Sequence, residues 1–336
     1  MAASSSVNVL ILSANWRADL VKQFRRAASE LGGGKVVVAD MSPLSAALLA
    51  GDAAEVVPPL TDPGFPNHLV RICRKHSITA VIPSIDKDLP VLAGLKSTLA
   101  SWKVVPVVPD PEAVAICDDK LRTYRFFVDN GFPTPKSWLP DELFSSPQKS
   151  KRPILIKPRR GIGGKGVYRI TSQEELNFYL KRVPDPIFQE FLPGPEFSFD
   201  TLSDLDGKTV SVVPRERIYV RDGEVFKSRT VRDMKSIELV AEVAETLGLK
   251  GPAVVQGMHD ESGQLKLTEV NPRFGSGVLL AIAAGADYPK DILRLVAGET
   301  VKPYLGEFAD GLYMLRYYDA YFVDQAGLPQ HGSLSP

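Results

Sequence analysis

The chain has 336 residues, of which 44% are hydrophobic and 24% charged, and its 40 basic side chains balance 40 acidic ones. That suits two or three globular units with a sizeable core, and it argues against a globally basic nucleic-acid binder and against an acidic disordered chain. Two cysteines, Cys73 and Cys117, cannot build a disulfide framework or a four-thiolate zinc site, no apolar stretch approaches a membrane span, and the start MAASSSVNVLIL lacks the basic region of a signal peptide, so a reduced, cytoplasmic setting is expected.

Residues 7–13 (VNVLILS) are a short apolar run rich in β-branched residues, and 18–31 follow with helical spacing of Leu20, Val21, Phe24, Ala27, Ala28 and Leu31, stopped by glycines 32–34. A strand at 35–40, a helix at 68–76, a strand at 78–83, a helix at 88–100 and a strand at 102–109 come next. Strands alternating with helices at this spacing predict a parallel sheet with crossover helices over about residues 7–115. The grammar then changes. DDKLRTYRFFVDNG (118–131) reads as a helix ended by Gly131, and from 153 short strands dominate: PILIKP, GVYRI, PIFQEFL, EFSFDTLSD, KTVSVVPRERIYV and EVFKSRTV. Turns at Asp206-Gly207 and Asp222-Gly223 join them. A helix at 236–248 precedes AVVQGMHD and QLKLTEVN, and helices begin near Gly277 and over 289–298. The second half is therefore expected to be α+β with antiparallel sheets, and AGLPQHGSLSP at the end reads as a flexible tail.

Residues 161–166 read GIGGKG. A dinucleotide or Walker loop would lie between a strand and a helix, and here both flanks, ILIKP and VYRI, are strand-like, with no Gly-Lys-Ser or Gly-Lys-Thr at the end. The exit of the first strand, SANWRAD, has no glycine, which disfavours a nicotinamide oxidoreductase. The loop is a glycine-rich hairpin whose backbone N–H groups can wrap phosphate oxygens. From 143 to 173 there is no acid, while Lys149, Lys151, Arg152, Lys157, Arg159, Arg160, Lys165 and Arg169 are basic. A flap over a polyphosphate and an ordinary solvated basic hairpin both account for this.

In LKLTEVN (265–271) regular alternation puts Leu265, Leu267, Glu269 and Asn271 on one face, and two leucines mark that face as inward. If ESGQ (261–264) closes the hairpin with Asp260 opposite Leu265, Gln256, with Val254 and Met258, comes opposite Glu269. One carboxylate and two amide oxygens then converge, a hard-oxygen set that suits Mg²⁺ with phosphates as its other ligands, and Arg273 follows two residues later. A strand end emerging into solvent is the bland alternative.

Together these motifs resemble the ATP-grasp superfamily, most closely its carbamoyl-phosphate-synthetase-like branch, in order along residues 7–310. The resemblance implies a pre-ATP-grasp, Rossmann-like domain over 1–115, a first ATP-grasp subdomain with the glycine-rich loop over 116–190, a second with the metal site over 191–310, and a C-terminal strand and tail over 311–336. It implies that Lys120, in ICDDKLRTYRFFVDNGFPTP, and Lys157, in ILIKP, approach the nucleotide phosphates. Gly161, Gly163, Gly164, Lys165 and Gly166 would form the mobile loop. In FQEFLPGPEFSFD, Gln189, Glu190, Phe191 and Leu192 would flank the adenine edge and Glu196 would hold ribose hydroxyls. Gln256, Glu269 and Asn271, in VVQGM and TEVNPRFGSG, would bind Mg²⁺ (or Mn²⁺), and Arg273 would stabilise the transferred phosphoryl charge. Gln256 departs from the acid found there in many members. Lys227 and Arg229, in EVFKSRTVR with Arg232, are candidates to meet the substrate carboxylate or the triphosphate, and Asp40, Asp86 and Asp88 at strand ends are candidates to select the substrate; exposed-strand and turn roles explain them equally well.

The activity implied is ATP-dependent activation of a carboxylate as an acyl phosphate, captured by an amine or another nucleophile. The alternative is an ATP-binding module, or a fragment of a larger fusion enzyme, without independent ligase activity. Small-molecule carboxylate and amine substrates are implied, without nucleic acid or membrane, and a homodimer is compatible with the resemblance.

Overall fold

The computed structural model describes residues 6–145, 153–161 and 163–329. In the N-terminal part, β1 (Val9–Leu12), β2 (Val36–Asp40), β3 (Ala53–Val56), β4 (Ala80–Pro83) and β5 (Val105–Pro106) form a parallel sheet in the order β3-β2-β1-β4-β5. β1, β2 and β4 are buried along their whole length, as unbroken apolar runs require of a sheet covered on both faces. Val9, Ile11, Val36 and Val38 pack with Leu20, Val21 and Phe24 of α1 (Ala18–Glu30). Leu10, Leu12 and Val37 pack with Phe65, Leu69 and Ile72 of α2 (Phe65–Lys75). The strand order changes direction between β1 and β4, so the crevice at their C-terminal ends is a topological switch point.

The structure departs from the expected elements in this region. The helix expected over 88–100 is two, α3 (Asp88–Gly94) and α4 (Lys96–Ser101), because Leu95 leaves the helical region at ψ 5°. β3, of sequence AAEV, is a partly exposed edge strand whose small alanines and Glu55 show no apolar run. The helix expected from 118 starts at Lys120: Asp119 is extended, and its carboxylate caps the N–H groups of Leu121 and Arg122 at the start of α6 (Lys120–Asp129). A separate helix, α5 (Pro111–Asp118), precedes it, and Gly131 ends α6 with φ +74°.

Two antiparallel sheets follow. The smaller contains β6 (Ser137–Trp138), β7 (Ile154–Pro158), β8 (Tyr168–Ile170) and β9 (Pro186–Glu190) in the order β6-β9-β7-β8. α7 (Pro140–Phe144) and α8 (Gln173–Leu180) pack on it over a core of Leu143, Ile154, Ile156, Ile170, Leu176 and Phe188. α8 was not read from the sequence, although Ser172 and Glu175 form a capping box at its start. The larger sheet runs β14-β13-β10-β11-β12-β15, from β10 (Glu196–Ser203), β11 (Thr209–Arg221), β12 (Glu224–Thr230), β13 (Gly251–His259), β14 (Leu265–Asn271) and β15 (Tyr313–Leu315). α9 (Met234–Leu247), α10 (Val278–Ala283) and α11 (Tyr288–Val296) complete this part.

The β13–β14 hairpin corrects the expected register. His259, not Asp260, pairs with Leu265, and Gly257 pairs with Leu267, yet Gln256 still pairs with Glu269 and Val254 with Asn271. The ladder skips Thr268, a β-bulge that changes the face of β14 halfway along. Leu265, Leu267 and Val270 all enter the core, whereas Glu269 and Asn271 stay partly exposed on the other side. The two leucines therefore do not share a face with Glu269 and Asn271, as unbroken alternation predicts; the extra residue separates them.

The N-terminal sheet and the large sheet share one core, in which Phe24 meets Phe274 edge-on at 5.8 Å. Arg26–Asp287 at 2.9 Å and Lys290–Glu30 at 3.0 Å bind α1 to α11 at its rim. No helix among the described residues is long and apolar enough to cross a membrane.

Candidate active site

The site lies between the two antiparallel sheets. On the side of the small sheet, Lys157 of β7 is buried, at 6% exposure, and donates from Nζ to Gln189 Oε1 at 2.9 Å. Gln189 in turn donates to Ser137 Oγ at 2.9 Å, so a chain of buried polar groups fixes the lysine. Burial pushes Lys157 down to about 8; the Glu269 carboxylate opposes this and the Lys120 ammonium reinforces it. Lys120 at the start of α6 donates to the Gly161 carbonyl at 3.0 Å and stands 4.0 Å from Glu269 Oε1. Its position follows from Asp119, which caps α6 and also holds Arg159 at 2.6 Å. Burial would raise the Asp119 carboxyl, but the Arg159 hydrogen bond and the helix amides outweigh it and hold it below the usual range.

On the side of the large sheet, one face carries Glu196, Ser198 and Asp200 of β10, Arg215 and Arg217 of β11, Gln256 of β13, and Glu269 and Asn271 of β14, as the ladder pairings require. Glu196 forms an ion pair with Arg217, Oε2 to Nε at 3.0 Å. The Gln256 amide satisfies its neighbours with its NH₂ 3.3 Å from Glu269 Oε2 and its oxygen 3.2 Å from Arg217 Nη1. Asn271 Nδ2 lies 3.3 Å from the same amide. Behind this row, Arg215 and Asp200 are each 1% exposed and paired through Nε–Oδ2 at 2.6 Å. Gly275 and Gly277 wrap that guanidinium so closely that a Cβ at 277 would stand 2.4 Å from Arg215 Cζ.

Lys120, Lys157, Gln256, Glu269, Asn271 and Glu196 thus come together, with Gln189 behind Lys157. Gly163, Gly164 and Gly166 adopt φ values of +66°, +71° and +77°, which only glycine reaches without strain. The loop rests on the β11–β12 turn, where a Cβ on Gly223 would stand 2.7 Å from Gly163 Cα. Lys165 is exposed. Phe191 lies under Arg169 at 4.4 Å, Leu192 is buried, and the Glu190 amide donates to the Lys136 carbonyl at 2.8 Å. Arg273 is not directed at the lysines: its guanidinium forms a two-pronged pair with Asp86 at 3.1 and 3.1 Å. Lys227 and Arg229 do not join the site. Arg229 pairs across the ladder with Glu216, at 2.6 Å, and Lys227 lies over the Tyr219 ring, on the face of the sheet opposite Arg215 and Arg217. Lys149, Lys151 and Arg152 of the basic stretch lie outside the described residues.

Arg217 was missed by the sequence reading. A charge inside a strand reads as exposed, although its i, i+2 spacing from Arg215 placed the two on one face; the ladder sets Arg215 opposite Ser198, between Glu196 and Asp200. The donor set at β13–β14 is one carboxylate and two amides; no group of three His, Cys, Asp or Glu that could hold a metal occurs among the described residues. Hard oxygens with a single negative charge fit a Mg²⁺ ion that also takes phosphate oxygens, and fit poorly a tightly bound structural metal.

Residues 117–277 match the model of the ATP-grasp domain, and residues 9–108 that of the PylC-like, N-terminal domain. The carbamoyl-phosphate synthase of Methanobrevibacter smithii is 25% identical over 248 residues, which are 68% of this chain and 66% of that protein. The D-alanine–D-alanine ligase of Pseudomonas entomophila is 24% identical over 207 residues, 55% of this chain and 65% of that one. The chain thus spans just under two-thirds of these relatives, and only 18% of the Clostridium beijerinckii carbamoyl phosphate synthase large chain. The biotin carboxylase domain of Hydrogenobacter thermophilus 2-oxoglutarate carboxylase, solved with MgADP, ADP and bicarbonate, superposes with a TM-score of 0.73 at 18% identity, covering 92% of this chain and 74% of that one. That last likeness is one of fold.

Proposed function

Since residues 117–277 belong to the ATP-grasp family, we propose that this chain is an ATP-dependent ligase that activates a carboxylate as an acyl phosphate and passes the acyl group to an amine or another nucleophile. The observation that carries the reading is the convergence of Lys120, at the start of α6, and Lys157, of the small sheet, on Glu269 of the large sheet, at 4.0 Å for Lys120. Two ammonium groups beside a row of oxygen donors suit a polyphosphate with its counter-cation.

Each group has a task in this reading. Lys120 and Lys157 neutralise phosphate oxygens, and Gln189 keeps Lys157 aimed. Glu269, Asn271 and Gln256 would hold Mg²⁺, or Mn²⁺ in its place, which supplies charge neutralisation and alignment of the phosphates. Glu196, steadied by Arg217, accepts hydrogen bonds from ribose hydroxyls. Gly161, Gly163, Gly164, Lys165 and Gly166 shield the reacting phosphorus from water. The substrate carboxylate oxygen bonds to the γ-phosphorus as the bridging β–γ P–O bond breaks and ADP leaves. The amine then attacks the acyl carbon, its C–O bond to phosphate breaks, and phosphate departs while the amine loses a proton. Positioning and charge neutralisation suffice for both steps.

The test is ADP release with Mg-ATP across panels of amino acids, dicarboxylates and bicarbonate, each with and without amines. Stimulation by one carboxylate, lost in Glu269→Ala, is expected; Mg-ATP that fails to raise the melting temperature would sink the reading. An ATP-binding module of a larger enzyme is the second reading, favoured by the 18% span of the long synthase chain. It predicts nucleotide binding without stimulation by any acid.

A further inference from the structure

The Arg273–Asp86 pair joins two parts of the molecule that the sequence separates by 187 positions. Arg273 sits two residues beyond Asn271, and its backbone N–H donates to the Asn271 carbonyl at 2.8 Å. Asp86 sits in the loop after β4, at the switch point of the parallel sheet. Both prongs of the guanidinium are taken: Nε reaches Oδ1 and Nη2 reaches Oδ2, each at 3.1 Å, while Nη1 lies 3.3 Å from the Phe274 carbonyl.

The loop that presents Asp86 is built, not incidental. Asp88 is fully buried and accepts from Ser84 N at 3.0 Å, Ile85 N at 3.2 Å and Ser13 Oγ at 2.7 Å, so one carboxylate folds the 84–88 segment around itself. Ser13 and Asn15, next to it after β1, hold left-handed backbone at φ +52° and +47°, a strain that folds keep where a site demands it. Asp86 is left pointing out of this frame.

We propose that Asp86 is a resident substitute for the acid substrate: its carboxylate occupies the fork of Arg273 until the incoming carboxylate displaces it. The inference rests on the ligase reading and deepens it by placing the acid between the 84–88 loop and the 271–277 loop. A bidentate carboxylate–guanidinium pair is specific for geometry, and a substrate carboxylate reproduces that geometry atom for atom. The pair is open enough to exchange, with side chains 18% and 20% exposed, where an ion pair is held only modestly against water. The surroundings require an anion at this point. Arg17 is buried and donates to the Phe274 and Gly275 carbonyls, and its guanidinium feels the Arg273 charge. Removal of Asp86 without a replacement leaves the Arg273 guanidinium without its carboxylate beside the charge of Arg17, so one carboxylate is exchanged for another. Asp86 is a positioning residue in this scheme. It keeps Arg273 away from the γ-phosphate when no acid is present, and so suppresses transfer of the phosphoryl group to water.

The test compares the full chain with Asp86→Asn and Asp86→Glu for ADP release from Mg-ATP with no carboxylate added. Asp86→Asn should release ADP about 5–20-fold faster than the wild type, and Asp86→Glu should stay near it; a residue that only supports the fold would slow release when replaced. Phenylglyoxal labelling of Arg273, followed by peptide mass, should accelerate in Asp86→Asn and not in Asp86→Glu. Asp86→Ser carries the same expectation if the amide variant does not fold. An unchanged or slower acid-free rate in a variant that Mg-ATP still stabilises overturns the inference and leaves the ligase reading standing. If Mg-ATP stabilises neither the wild type nor any variant, both fall.

Discussion

The two sheets that face each other across the cleft are built differently. The large sheet carries the candidate oxygen donors Gln256, Glu269 and Asn271 and is stiffened from within by Arg215 and Asp200, both 1% exposed, and by a core continuous with the N-terminal sheet. The small sheet carries Lys157 and the glycine loop, and its core is a separate cluster around Ile154, Ile156 and Phe188. Donors for a small cation must keep sub-ångström spacing, whereas a wall that admits and releases a nucleotide must give way. The chain puts its buried ion pair behind the first and a light core behind the second.

The strongest way to break this comparison is to remove the internal stiffener. Asp200→Ala leaves Arg215 buried without its partner and should cost about 3–5 kcal/mol, read as a lower urea midpoint. A loss below ~1 kcal/mol would show that the large sheet does not depend on the pair. Glu269→Ala should do the reverse. Half-exposed at the cleft, it should leave the urea midpoint nearly unchanged yet cut Mg²⁺-dependent ADP release by about 10²–10³-fold. Equal effects on folding and turnover in either variant would dissolve the distinction between support and chemistry.

On the small sheet, Lys157 gives a pH signature. Its folded value of about 8 lies below the ordinary 10.5, so between these values the unfolded chain binds more protons and stability rises with pH. A bound polyanion favours the ammonium form, so nucleotide affinity should fall roughly tenfold per pH unit above about 8. Calorimetry from pH 7 to 10 checks this, and Lys157→Arg should flatten the curve. Gln256→Glu adds a second carboxylate to the donor set and should lower the Mg²⁺ concentration for half-maximal activity by about tenfold, measured by metal titration. The smallest effect is expected at the contact between the walls. Gly223→Ala would put a Cβ 2.7 Å from Gly163 Cα, so the loop could not rest on the hairpin, and kcat/KM should fall a few-fold with the small sheet intact.

The same contrast explains what was legible in the sequence. The parallel sheet announces itself because β1, β2 and β4 are apolar runs, broken only by Asp40 at the end of β2, whereas β3 carries Glu55, is partly exposed and is silent. α8 was overlooked because it buries little besides Leu176, although its capping box was in plain view. The nearness of Gln256, Glu269 and Asn271 was legible in the hairpin pattern, and Lys120 and Lys157 were singled out through motif order. Arg217 was not, because one sequence does not show that its charge faces another strand's carboxylate. Nor was the partner of Arg273, since no local rule links positions 86 and 273. The face taken by Lys227 and Arg229 was left open because, on an outer strand, it depends on pairings that only the assembled sheet displays.

The bulge at Thr268 has a consequence for how this chain tolerates change in length. With a straight ladder Thr268 would stand opposite Gln256, and Glu269 would turn its acid among the aliphatic side chains around Val255. A single surplus amino acid therefore keeps grease and the oxygen donors Glu269 and Asn271 on opposite sides of one ribbon. Point replacements there can be absorbed one by one, but an insertion or deletion within 265–271 shifts the whole reading frame of the ribbon, and its toll on metal binding should exceed that of most substitutions in the same stretch.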